Sequence, residues 1–173
     1  MEKKSEKLQT KRLTLRAFEE CDRQQVLDIF FNDDIKKTYM IPDFESLSQA
    51  EALFEKIMLY SLSDDHFVYG ICLDNVLIGF INDCEITDTT IELGFVIAPQ
   101  HHSKGYATEA VRAAIVELFD MGFSKVKAGF FEDNIASCRV MQKCGMSKTE
   151  HEEDIEYRGA LHHCIYYAIE KNQ

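Results

Sequence analysis

The chain has 173 residues, 46% of them hydrophobic and 28% charged, with a formal net charge of -11. That length and mix fit one globular domain, residues 1–173, with a real core. The negative balance argues against a nucleic-acid backbone or an anionic membrane as partner; on its own it reads first as solubility, and second as suiting cationic substrates such as amines.

Residues 8–18 alternate around Leu13, Leu15 and Ala17 and predict a strand. Asp22 predicts the cap of a short helix with the stripe Val26, Ile29 and Phe30. Ser48 and Glu51 fit a capping box ahead of Leu53, Phe54, Ile57, Met58 and Leu59, a second helix that ends near residues 61–65. Residues 67–73 and 76–84 are β-rich runs separated by Asp74-Asn75, the signature of a tight hairpin. Residues 90–97 predict a further strand, halted by Pro99. From Lys104 the pattern turns helical: Ala107, Ala110, Val111, Ala114, Ile115, Leu118 and Phe119 share a face until Gly122. A short strand follows at 125–131, then a short helix at 134–143 stopped by Gly145, then two strands in 146–169 joined near Gly159. The order describes a mixed α/β domain with hairpins and at least one crossover.

Cys21, Cys72, Cys84, Cys138, Cys144 and Cys164 are irregularly spaced and form no C-x-x-C, which argues against a zinc site or a disulfide framework. Residues 1–11 are charged and lack the apolar heart of a secretory signal, and no run reaches the ~18 apolar residues of a membrane span. A cytoplasmic protein with free thiols is expected.

The most informative stretch is the strand at 91–97, the loop at 100–105 and the helix that the loop opens. The first amides of a helix have no internal acceptor, and the helix dipole adds partial positive charge there. A phosphate or pyrophosphate is the natural guest. Gly105 lets backbone approach such a ligand without an intervening Cβ, and Lys104 adds a charge. The spacing is neither that of a P-loop nor that of a dinucleotide fingerprint.

Lys104-Gly105-Tyr106-Ala107-Thr108-Glu109-Ala110 closely resembles the acetyl-coenzyme A loop of the GNAT acetyltransferase superfamily. The family signature [Q/R]-x-x-G-x-[G/A] falls on His102, Ser103, Lys104, Gly105, Tyr106 and Ala107. His102 and Ser103 depart from the usual Gln or Arg and the usual Gly. The run from Asn134 to Met141, followed by Lys143-Cys144-Gly145-Met146, resembles the N-x-x-S-x-R-V-M-x-K-x-G-[MF] segment of the ribosomal-protein N-acetyltransferase (RimJ/RimL-like) branch. Thr10-Lys11-Arg12-Leu13-Thr14-Leu15-Arg16 and Glu92-Leu93-Gly94-Phe95 match in the same order.

The resemblance implies a GNAT acyl-CoA N-acyltransferase fold, a mixed, mostly antiparallel sheet of about seven strands flanked by about four helices. It implies transfer of an acetyl group from acetyl-CoA to a primary amine, by direct attack in a ternary complex, with no metal. The acceptor would be a protein N-terminus or a small-molecule amine, and the fold admits a homodimer. His102, Ser103, Lys104, Gly105, Tyr106, Ala107 and Thr108 would hold the pyrophosphate. The backbone of Phe95, Val96 and Ile97 would cradle the pantetheine arm. Asn134, Ser137 and Arg139 would face the cosubstrate, with Asn134 also serving as a helix cap.

The chemistry needs a base for the ammonium and a donor for the carbonyl oxygen as it gains charge. Glu92 is the candidate base, with a structural salt bridge as its other reading. Ser137, whose helix face the resemblance puts near the cofactor, is the candidate proton donor to the leaving sulfur; Met141 stands where many GNAT enzymes carry a Tyr acid, and a thiolate that leaves without help is the other reading. The adjacent pairs His101-His102 and His162-His163 point to opposite faces if extended, so no metal is expected. Two other readings stay open: a GNAT-fold module that senses coenzyme A without turnover, and a nucleotide-binding α/β protein.

Overall fold

In the computed structural model, which describes residues 3–171, the opening tract is a hairpin and not one strand. Met1 and Glu2 of the charged opening lie outside the described residues, as do the last two residues of the chain. Strands β1 (Lys7–Gln9) and β2 (Leu13–Arg16) pair antiparallel. Thr10 makes the turn: its N–H donates to the Leu13 carbonyl at 2.9 Å, and its hydroxyl oxygen accepts from Leu13 N–H at 2.9 Å. This adds an eighth strand to the about seven expected from the resemblance.

Helix α1 (Arg23–Phe30) buries Val26, Ile29 and Phe30 as its stripe requires. Asp22 holds the cap position, but its carboxylate is turned to Arg16, which donates to it twice at 2.7 and 3.0 Å. A four-residue helix, α2 (Asp33–Lys36), capped by Asn32, is an element the periodicity does not reveal. In α3 (Leu47–Leu62) the cap is Ser46 and not Ser48: Ser46 accepts from Gln49 N–H at 3.3 Å, and Gln49 reaches back to Glu45 N–H at 2.8 Å. The serines are two apart, and Ser46 is the one in extended backbone.

Strands β3 (Tyr69–Leu73) and β4 (Val76–Ile86) close on Asp74 and Asn75, both at positive φ as a type I′ turn demands. Then come β5 (Thr90–Ile97), α4 (Tyr106–Asp120), β6 (Lys125–Phe131), α5 (Ile135–Lys143), β7 (Ser147–Tyr157) and β8 (Ala160–Glu170). The sheet order is β1-β2-β3-β4-β5-β6-β8-β7, antiparallel except for β5 beside β6.

Alternation along the strands feeds two cores. Leu13, Leu15, Ile71, Ile81, Ile91 and Leu93 pack against Val111, Ala114 and Leu118 of α4 and Met141 of α5. Phe18, Val68, Cys72, Phe80 and Val96 face Val26, Phe30 and Phe54 of α1 and α3. Each fully buried Val, Leu, Ile, Phe or Met side chain among these contributes about 1.5–3 kcal/mol. No helix among the described residues is long and apolar enough to cross a membrane.

Candidate functional site

Strands β5 and β6 share only three rungs, Thr90↔Lys125, Ile91↔Val126 and Glu92↔Lys127. Beyond them β5 keeps β4 as its one neighbour and β6 keeps β8. The two strands splay, and a cavity of about 470 Å³ opens in the wedge. Composition could not show this, because the parting is a matter of register between distant segments.

The wedge exposes particular backbone groups. Ala98 N–H donates to the Ile78 carbonyl at 2.8 Å. Antiparallel ladders alternate, so Val96 and Gly94 also bond toward β4. Phe95 and Ile97 therefore turn their N–H and C=O groups into the wedge. The Ile97 carbonyl is taken by His102, whose Nε2 lies 2.6 Å away. A carbonyl only accepts, so Nε2 carries the proton. His102 thus ties the start of the loop to the end of β5.

The loop supplies a denser set of donors. Among the described residues, the N–H groups of residues 103–108 have no protein acceptor; the first bond of α4 is Glu109 N–H to Gly105 O at 3.1 Å. No side chain caps α4. Ser103, Gly105, Tyr106, Ala107 and Thr108 all line the cavity, so most of this run of donors lies at its wall. Six consecutive amides at a helix N-terminus make an anion site of the kind that holds a pyrophosphate.

Gly105 makes the geometry available: it sits at φ +81 and ψ 7, a left-handed conformation that costs a Cβ-bearing residue roughly 1–2 kcal/mol. Ser103 pays such a cost, at φ +60. Ser103→Gly is therefore expected to raise stability by about 0.5–1 kcal/mol, or about 1–4 °C in thermal melts, while acetyl-CoA still binds. A drop in melting temperature would show that the serine hydroxyl compensates for its backbone.

The other predicted residues divide. Phe95, Val96, Ile97, His102, Asn134, Ser137 and Arg139 line the cavity. Lys104 does not: its ammonium folds back on the Gln100 carbonyl at 3.0 Å. Asn134 caps α5 through Oδ1, which accepts Ser137 N–H at 3.1 Å. Its Nδ2 donates to Ser137 Oγ at 2.9 Å and to Thr38 O at 3.4 Å, so both amide atoms are engaged within the protein. Among the described residues the Ser137 hydroxyl hydrogen has no acceptor, and Arg139 has no carboxylate partner.

Glu92 lies outside the cavity lining, on the last shared rung, with Lys127 Nζ 3.0 Å from its carboxylate. Lys127 also holds Glu85 at 2.6 Å. Burial pulls the Lys127 pKa down, but its two carboxylate bonds outweigh that and hold it above the ordinary lysine value.

Sequence reasoning missed the wall opposite α5. Thr38 and Tyr39, from the segment after α2, line the cavity. The Tyr39 hydroxyl donates to Asn82 Oδ1 at 2.5 Å, and burial raises its pKa far above that of a free tyrosine, so it stays protonated. Gly129 and Lys143 also line the cavity. Only Lys143, in register with Arg139 at i,i+4, carried a signal in the sequence.

None of the six cysteines is bridged, and burial pushes the Cys72, Cys144 and Cys164 thiols up to about 11, away from nucleophilic use. Among the described residues no group of His, Cys, Asp and Glu is arranged to hold a metal ion.

A splayed parallel pair, free strand amides on one side and a capless helix N-terminus on the other define the acyl-coenzyme A N-acyltransferase class. The chain belongs to the GNAT acetyltransferase family: the family model described as Acetyltransferase (GNAT) domain matches residues 12–147. The chain is 32% identical over 143 residues to the uncharacterized N-acetyltransferase YnaD of Bacillus subtilis, covering 80% of this chain and 81% of that one. It is 26% identical over 142 residues to the spermidine N(1)-acetyltransferase of Vibrio cholerae, covering 80% and 81%. The fold is shared with RimL, a ribosomal L7/L12 alpha-N-protein acetyltransferase, at a TM-score of 0.84 and 16% identity over 96% of this chain and 94% of that one. The protein is an acetyl-CoA-dependent N-acetyltransferase.

Proposed function

We propose that the wedge binds acetyl-CoA lengthwise, pyrophosphate on the amides of residues 103–108 and thioester against Phe95 and Ile97, for direct attack by a primary amine. The run of acceptor-free N–H groups carries this reading. Bound there, acetyl-CoA supplies an activated acyl group. The chain's residues orient it: the helix dipole and amides hold the phosphates, and the Phe95 N–H faces the position where the carbonyl oxygen gains charge. Arg139 and Lys143 add two cations along α5.

The amine nitrogen attacks the carbonyl carbon, the C–S bond breaks, and the thiolate departs. Ser137 has a hydroxyl hydrogen to offer that sulfur, with Asn134 Nδ2 fixing its oxygen at 2.9 Å. A hydrogen bond to a charged group is worth about 1.5–3 kcal/mol. Ser137→Ala is expected to lower kcat by about ten- to a hundredfold at saturating substrates. Unchanged kcat would mean that the thiolate leaves unaided. Glu92 takes the amine proton through water.

The acceptor enters beside Tyr39 and Gly94. A net charge of -11 and the acidic residues Glu150, Glu152, Glu153, Asp154 and Glu156 of β7 favour a cationic amine. One relative is a spermidine N(1)-acetyltransferase, and RimL, which shares the fold, is a ribosomal L7/L12 alpha-N-protein acetyltransferase; an amine acceptor of either kind fits this charge. One continuous sheet from β1 to β7 supports a single domain, and six free thiols fit a cytoplasmic setting.

The test is calorimetry with acetyl-CoA, using ATP as control, followed by turnover with spermidine and with a short basic peptide. Micromolar acetyl-CoA binding and turnover of either amine are expected. Binding without turnover over a broad amine panel would leave a coenzyme A-sensing module instead.

A further inference from the structure

Arg12 belongs to the opening Thr10-Lys11-Arg12 motif, which the reaction above does not use. It reaches from the turn between β1 and β2 to the back of the cofactor loop. Its Nε donates to Glu109 Oε2 at 2.7 Å, and its Nη1 donates to the Lys104 carbonyl at 2.9 Å. Its guanidinium stands 4.5 Å from the centre of the Tyr106 ring. The other oxygen, Glu109 Oε1, accepts from Arg12 N–H at 2.8 Å and from the Thr10 hydroxyl at 2.7 Å. Every contact ends on the loop or on the first turn of α4.

The bond to Lys104 has a directional consequence. In a trans peptide the C=O and N–H point opposite ways. Arg12 lies outside the cavity lining and Gly105 within it. Holding the Lys104 carbonyl outward therefore sends the Gly105 N–H into the wedge. Little packs against Gly105 on that side: the nearest atom to a Cβ built there would be Arg12 Nη2, at 3.5 Å. A second effect has the same sign. Glu109 is a carboxylate in the first turn of the helix whose N-terminus must receive an anion. Burial works against its charge, but the hydrogen bonds from Thr10 and Arg12 prevail and hold its pKa below the usual range. It stays ionised, and uncompensated it would repel a phosphate.

We infer that Arg12 is a positioning residue for the cosubstrate: it aims the 104–105 peptide so that Gly105 N–H joins the anion site, and it neutralises Glu109 behind that site. This rests on the reading of the wedge as the acetyl-CoA site.

The test compares two ligands on Arg12→Met and Arg12→Lys. Acetyl-CoA carries the pyrophosphate; S-acetylpantetheine carries the same thioester and arm without it. Arg12→Met is expected to weaken acetyl-CoA at least tenfold and S-acetylpantetheine less than twofold. Its KM for acetyl-CoA should rise by more than its kcat falls. Arg12→Lys should recover part of the loss, since an ammonium keeps the charge but not the fork that reaches Glu109 and Lys104 together. Equal weakening of both ligands would reduce Arg12 to a support of the fold, and no weakening of either would remove the role altogether. If Arg12→Met does not fold, Arg12→Lys carries the same ligand comparison. Wild-type protein that binds acetyl-CoA no better than S-acetylpantetheine would overturn the wedge reading itself, a result distinct from both.

Discussion

Gly105→Val is expected to weaken acetyl-CoA binding by at least about a hundredfold, measured by calorimetry beside wild type. The cause is backbone conformation and not space. A Cβ at this position would meet its nearest neighbour at 3.5 Å, an ordinary contact. The difficulty is φ +81, where a β-branched residue stores about 1–3 kcal/mol of strain. The loop escapes that strain by rotating the peptides on either side of residue 105. Those peptides carry the N–H groups of Gly105 and Tyr106, and each amide lost to a phosphate costs about 1.5–3 kcal/mol. Two such losses account for the expected hundredfold. The melting temperature should fall only by the part of the strain that the loop does not relieve. Gly105→Ala separates the causes: it adds a Cβ without β-branching, and should lie between wild type and valine. If valine binds acetyl-CoA within threefold of wild type, the amides of residues 103–108 are not the anion site.

The elements that frame the wedge were the most legible. Strands β5 and β6 have the bounds that alternation predicts, and α4 and α5 end where Gly122 and Gly145 turn the chain at positive φ. Local patterns decide such segments, because strong periodicity and a chain-reversing residue agree. The opposite wall was not legible. Thr38 and Tyr39 follow a helix of four residues, too short for a stripe. Their segment is held by remote partners: Tyr157, whose hydroxyl accepts from Ile41 N–H at 3.2 Å and donates to Ile41 O at 3.0 Å, and Arg158, which pairs with Asp43 at 3.1 Å. Contacts across more than a hundred residues leave no local periodicity. Lys104 failed for a related reason. Its type and place suit a phosphate, but a nearby carbonyl took the ammonium, and Arg12 took the carbonyl of Lys104. Alternation could give the face of Glu92. Its partner Lys127 was set by the parallel register of β5 on β6, which only the folded sheet defines.

That register frames the second large effect. Glu92→Gln is expected to lower kcat/KM for the amine by about 10²–10³-fold, with acetyl-CoA affinity within twofold of wild type. Glu92 stands two residues before Gly94, so both face the α1–α3 side, the side that carries Tyr39. It occupies the last rung before the strands part, at the apex of the wedge. As a base it would act on an amine over Gly94 through an intervening water. The ion pair does not forbid this role. Lys127 is shared, at 3.0 Å from Glu92 and 2.6 Å from Glu85. When Glu92 takes a proton, Glu85 still balances the ammonium, so no buried charge is stranded. Glutamine keeps the size and a carbonyl acceptor but cannot take the proton, which isolates proton acceptance from packing. Lys127→Met completes the comparison. If Glu92 is the base, that variant keeps the carboxylate and should lose less activity than Glu92→Gln. If the pair is structural, both variants should lower the melting temperature together, and Glu92→Gln should keep more than a third of wild-type turnover. Steady-state rates and melting curves on the two variants decide between a working base and a strut.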